Sequence, residues 1–100
     1  MENISMQGWE VALDGITCPI SKMDETMGYG VAKAEFVHKF MKNKYVIISV
    51  VLVRAVDVRF EVVYGDRRYA PQSFRMTAIK GRHSFKEVVE DALRTVNNNI

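Results

Sequence analysis

Between Tyr45 and Tyr64 the even positions Val46, Ile48, Val50, Leu52, Val56, Val58, Phe60, Val62 and Tyr64 are all apolar, with Arg54 the one exception. So many β-branched side chains crowd the preceding turn of a helix but suit a pleated surface, where side chains alternate between two faces. The run is therefore strand. Odd positions turn polar from Asp57 onward, so the first half reads as buried on both faces and the second half on one. A two-residue hairpin loop would reverse this parity. The stretch Arg54 to Asp57 is therefore either a three-residue turn, which is the preferred reading, or a bend in one long strand.

The C-terminal element is equally legible. Phe85, Val88, Val89, Ala92, Leu93 and Val96 follow the period of a helix that buries one stripe. Ser84-Phe85-Lys86-Glu87 forms a capping box, with the Ser84 hydroxyl accepting from the Glu87 amide and the Glu87 carboxylate reaching back to the Ser84 amide. Loss of that serine is expected to cost about 0.5 to 2 kcal/mol. The asparagines from Asn97 onward end the helix in a fraying tail, residues 97–100.

Other segments give weaker signals. Trp9, Val11 and Leu13 alternate, and Asp14-Gly15 is a hairpin dipeptide, which predicts strands at 9–13 and 16–20, the second limited by Pro19. From Met23 to Met41 the residues Met23, Met27, Val31, Ala34, Val37 and Met41 recur at spacings of three and four and predict a first helix. Gly28 and Gly30 weaken its early part, so the firm portion runs from about Val31 to Asn43. Tyr64-Gly65-Asp66-Arg67 predicts a tight hairpin. A further strand starts near Arg67, is interrupted by Pro71, shifts its apolar parity to Phe74, Met76 and Ala78, and ends at Lys80-Gly81.

These elements predict a single α+β domain over residues 1–100. Its core would be a mainly antiparallel sheet of three to five strands with two helices packed on one face, in the order β-β-α-β-β-β-α. With 48% apolar residues, 100 residues suffice for one core and not for two domains. The longest apolar run, Tyr45 to Val56, contains Ser49 and Arg54 and falls short of the roughly 20 residues a membrane helix needs. The single cysteine, Cys18, forms no internal disulfide and no secretion signal is visible, so the expected location is cytoplasmic, without membrane association.

Net charge is only +2, but it is distributed in blocks. Residues 36 to 56 carry Lys39, Lys42, Lys44 and Arg54 without an acid. Residues 67 to 86 carry Arg67, Arg68, Arg75, Lys80, Arg82 and Lys86, again without an acid. The last three lie around a helix start, whose unpaired amides and partial positive charge favour anions, so these six residues are the candidate contacts to a nucleic-acid phosphate backbone. As a solvated strand face, the same arginines would instead protect a sheet edge from aggregation.

No enzymatic constellation is recognisable. Cys18, His38 and His83 are too scattered for a nucleophile and base pair or a metal site, and Gly28-Tyr29-Gly30 lacks the third glycine and lysine of phosphate-binding loops. No cofactor is implied. The order helix, three strands, helix over about 31–97 loosely resembles a double-stranded-RNA-binding domain, with Gly81, Ser84 and Lys86 at matching positions. Phe85 stands where that family has a lysine, Val88 and Val89 replace small and basic residues, and the N-terminal hairpin has no counterpart. The resemblance therefore implies only phosphate contact at Lys86 and Arg82.

The preferred expectation is a small non-enzymatic accessory or protein-interaction module that self-associates, as a dimer, because its strand run is unusually apolar. Nucleic-acid binding through the 67–86 segment is the alternative. A small-molecule pocket between sheet and helices, lined by aromatic and methionine side chains such as Trp9, Phe36, Phe60 and Met76, is the third.

Overall fold

The computed structural model describes residues 6–25 and 32–99. Five strands, β1 (Trp9–Asp14), β2 (Lys33–His38), β3 (Lys44–Val53), β4 (Asp57–Asp66) and β5 (Gln72–Ile79), form one antiparallel sheet in the spatial order 1-2-3-4-5. The chain thus meanders from one edge to the other and then turns back as helix α1 (Phe85–Asn97). Between β1 and β2 a single 3₁₀ turn, Ile20–Lys22, carries Ile20 into the core.

The order is therefore β-β-β-β-β-α, with one helix where two were predicted. Lys33 to His38, the centre of the predicted first helix, is strand β2. Ala34, Val37 and Met41 do fall at helical spacing, but Ala34 and Phe36 also alternate, and here both are fully buried. Pairing with β1 on one side and β3 on the other satisfies the backbone of β2 on both edges, and these long-range bonds override a local period. The earlier part of that predicted helix, including Gly28-Tyr29-Gly30, lies outside the described residues. The resemblance to a double-stranded-RNA-binding domain loses its footing with the helix that opened it.

Residues 16–20 do not form the second arm of a hairpin. Neither Asp14 nor Gly15 has the positive φ that the short hairpin turn requires. Gly15 instead donates its amide to the Lys33 carbonyl at 3.0 Å, and a Cβ there would lie 2.4 Å from that same oxygen. The glycine permits close approach of two backbones at the end of β1.

Downstream the pattern holds. β3 and β4 are joined by residues 54–56, a three-residue turn clamped by Arg54 donating twice to the Asp57 carboxylate at 2.8 Å. That contact holds the Asp57 carboxyl below its ordinary range. The turn after Gly65 begins two residues later than predicted, because β4 runs to Asp66. The Asp66 carboxylate then organises it by accepting from the Arg68 amide and guanidinium.

Helix α1 lies across one face of the sheet. Val89, Ala92, Leu93 and Val96 are fully buried against Val46, Ile48, Phe60 and Val62, and Phe85 stacks obliquely on Phe60 with centroids 5.9 Å apart. Ser84 caps the helix by accepting from the Glu87 amide at 3.3 Å, while its hydroxyl donates to the Glu87 carboxylate at 3.4 Å. At the other end, the indole N–H of the buried Trp9 donates to Asn97 Oδ1 at 3.0 Å, tying the last residue of α1 to the first residue of β1. No helix among the described residues is long and apolar enough to cross a membrane.

Candidate protein-interaction face

The registers define two faces of the sheet. One carries Trp9, Ala34, Phe36, Val46, Ile48, Val50, Val58, Phe60, Val62 and Ala78, all buried under α1 and the 15–25 segment. The residues between them point the other way, and no element of the described chain covers them. Across this open face run the rows Glu10, Val37, Tyr45, Gly65; then Leu13, Glu35, Ile47, Val63, Ser73; then Lys33, Ser49, Glu61, Arg75; then Leu52, Arg59, Thr77.

The middle of that face is apolar. Val37, Tyr45, Ile47, Leu52 and Val63 are only half-buried, and Leu13 is 40% exposed. A depression of about 400 Å³ lies here, lined by Ala12, Glu35, Val37, Tyr45, Ile47 and Arg67. The Arg67 guanidinium rests 5.7 Å from the Tyr45 ring centroid, capping the row at its β4 end. The predicted pocket between sheet and helix has a different fate: Trp9, Phe36 and Phe60 fill the interior as tightly buried core.

Charge on the open face is arranged around this apolar centre. Lys33 lies 3.8 Å from Glu35 on the β2 side. Glu10, Arg59, Glu61 and Arg75 take no ion pair among the described residues. Carboxylates Glu10 and Glu35 sit toward the β1 edge, and Arg59, Arg67 and Arg75 toward the β5 edge.

The six basic residues singled out in the sequence are not gathered in one place. Arg67 and Arg68 lie in the turn before β5, Arg75 is mid-strand on the open face, and Lys80, Arg82 and Lys86 lie beyond its far end. Eight residues of strand separate the two groups by roughly 25 Å. Arg68 is held bidentately by Asp66, which is also 4.0 Å from Lys44, and the Asp66 carboxyl is held well below the usual carboxylate range, chiefly by the Arg68 hydrogen bond. Lys80 donates to the Met23 carbonyl at 2.6 Å. Arg82 and Lys86 are exposed at the start of α1 beside a groove of about 300 Å³.

The histidines close turns. His38 Nδ1 accepts from the amides of Phe40 and Met41, and His83 Nδ1 accepts from the Ile79 amide. Cys18 is half-exposed in the 15–25 segment. The sequence did not single out Lys33, Glu61 or the row through Tyr45 and Ile47. The signal for that row was present in the apolar odd positions of the first half of the Tyr45–Tyr64 run. Compared with protein-family models, with curated proteins and with solved structures, the chain gives no match.

Proposed function

We propose that the chain is a protein-interaction module that self-associates through the open face of its sheet, two copies stacking about a two-fold axis along β3. The observation that supports this reading most is the half-buried patch of Val37, Tyr45, Ile47, Leu52 and Val63 on a face the described chain leaves uncovered. A strand that is apolar on both faces belongs in a sheet covered on both sides.

The area is adequate. Five strands at about 4.8 Å spacing, six to ten residues long at about 3.3 Å per residue, span roughly 600 Å² even as a flat projection. A stable interface buries about 800 Å² of accessible surface per partner, and side-chain relief raises accessible area above its projection.

Charge selects the axis. Rotation about β3 lays β2 of one copy over β4 of the other, so Lys33 meets the second copy's Glu61, and this pair occurs twice. Facing sheets are offset by about 30°, which moves residues one strand from the axis by roughly 3 Å, within the reach of a lysine side chain. An axis running across the strands through the row of Lys33 would instead set Lys33, Glu61 and Arg75 each on its own copy, and like charges in contact are strongly disfavoured.

Sedimentation equilibrium of the full chain over a wide concentration range tests the reading. A dimer is expected, and Ile47→Asp, which places a charge at the centre of the face, is expected to give a folded monomer. A wild-type monomer at high concentration, or a dimer undisturbed by Ile47→Asp, overturns it. Lys33→Glu and Glu61→Lys then test the axis: each alone weakens association, and their equimolar mixture forms a heterodimer in which both contacts are again unlike in charge. If association survives Ile47→Asp unchanged the face is wrong. If only the exchange has no effect, the axis is wrong.

A further inference from the structure

Two turns at one end of the sheet carry an unusual surface. Residues 39–43 join β2 to β3, residues 67–71 join β4 to β5, and the Arg67 amide donates to the Asn43 carbonyl at 2.9 Å, so the two turns are neighbours. Phe40 is 83% exposed and Tyr69 71% exposed at their tips. Phe40 touches only the edge of the local structure, its ring tilted beside His38 at 6.1 Å, and Tyr69 lies 5.8 Å from the Arg68 guanidinium. Neither ring is needed to close the core.

The same two turns and their strand ends, residues 39–45 and 65–71, contain five basic residues and one acid. The acid, Asp66, is 6% exposed and is answered by Arg68 at 2.8 Å and Lys44 at 4.0 Å. Lys39, Lys42 and Arg67 are exposed around the rings. The fold therefore joins two basic stretches that lie more than twenty residues apart in the chain, and it places two solvent-exposed aromatic rings among them.

We propose that this end of the sheet binds single-stranded nucleic acid, with Phe40 and Tyr69 stacking on bases and Lys39, Lys42 and Arg67 lying along the phosphates. Exposed rings set in a cationic surface are what such a ligand requires, because every base offers a π-face and every linkage offers a charge. An anionic membrane would use the cations as well. The geometry favours the nucleic acid because both rings stand free at the tips of two turns tied together by the bond from the Arg67 amide to the Asn43 carbonyl, with cations beside them to follow a phosphate chain.

The site is complete in one copy. Where the proposed dimer forms, an axis along β3 keeps strand direction, so both copies present this end on the same side and one strand can engage two sites. That additional gain rests on the self-association reading; the site itself does not.

Fluorescence anisotropy with a labelled oligo-dT of about 20 nucleotides tests the proposal on the full chain. Binding is expected to weaken with salt, with a log-log slope of about −2 for three phosphate contacts on a single strand. Phe40→Ala and Tyr69→Ala are each expected to weaken binding by about fivefold to a hundredfold with the slope unchanged. Lys42→Ala is expected to reduce the slope by about 0.7. Both aromatic positions are exposed, and circular dichroism checks that the variants keep the fold.

No binding at low salt, or binding indifferent to both aromatic substitutions, overturns the proposal. So does retention on phosphatidylserine vesicles by a protein that ignores the oligonucleotide. Ile47→Asp separates the two readings: a monomer that still binds, only more weakly, supports this site, whereas a wild-type protein that is a dimer yet binds no oligonucleotide sinks this site and leaves the dimer standing.

Discussion

Replacing Asn97 by alanine tests whether the two ends of the described chain are bound to each other as the structure has them. The indole N–H of Trp9 is a donor with no acceptor function, the residue is 1% exposed, and Asn97 Oδ1 accepts from it at 3.0 Å across 88 residues of sequence. Removing the acceptor strands a buried donor, which costs about 1 to 3 kcal/mol. The amide of Asn97 also donates to the Gln7 carbonyl at 3.2 Å, but that bond is exposed and adds less. Alanine regains a few tenths of a kcal/mol in helix propensity. The net expectation is a loss of about 1 to 2 kcal/mol, or roughly 4 to 16 °C in melting temperature for a domain of this size. Trp9 is the single tryptophan, so its emission reports this junction while circular dichroism reports the fold. Urea titrations by both probes should shift together with an unchanged m-value. In a double-mutant cycle with Trp9→Phe the two losses should be non-additive by about 1 kcal/mol. A change within 0.3 kcal/mol, or full additivity, refutes the reasoning.

Two further outcomes follow from local geometry. Because the Asp66 carboxyl is depressed in the folded chain by Arg68, the stabilisation is fully present above the ordinary aspartate pKa of about 3.9 and is lost as pH falls below it. Asp66→Asn should therefore melt below the wild type at pH 7, and the gap should narrow as thermal scans are repeated toward pH 2. Gly15→Ala puts a Cβ 2.4 Å from the Lys33 carbonyl oxygen, so β1 must shift away from β2, at a cost of about 1 to 3 kcal/mol in denaturant titration.

The stripe and the serine cap of helix α1 were legible because these signals are local, whereas Asn97, read as the start of a fraying tail, is its last residue and is held by Trp9. β3, β4 and the turn between them were legible for the same reason, through β-branched content and parity. β2 was not. Its six residues support a helical stripe and a strand alternation alike, and the choice is made by β1 and β3, which no window along the sequence can see. Asp14-Gly15 misled in a similar way, since glycine serves a turn and a close backbone approach equally well. The basic segment was legible as composition only. Twenty residues of sequence fold into a turn, an eight-residue strand and a helix start, so charges close in the chain finish at opposite ends of the sheet, while Lys42 and Arg67, far apart in the chain, finish together.

The apolar odd positions of β3 have two distinct causes. The β3–β4 register slips between Val50 and Leu52, so Val51 is an extra residue on β3. From that bulge onward the frame changes: Leu52 pairs with Arg59 on the open face, and Val53 pairs with Val58 in the core, where it is 2% exposed. Apolarity at both parities from Val50 to Val53 is therefore largely consumed by the fold itself. No such slip occurs between Tyr45 and Ser49, where the pairing with β2 and β4 is regular. Tyr45 and Ile47 thus remain as large apolar side chains that the described chain neither requires for its core nor covers. Both edges of the sheet are poorer candidates for association, since β1 is six residues long and bulged and β5 carries Arg75 and begins beside Pro71, features that discourage strand addition. Tyr45 and Ile47 are the part of the sheet that the proposed dimer would cover with a second sheet.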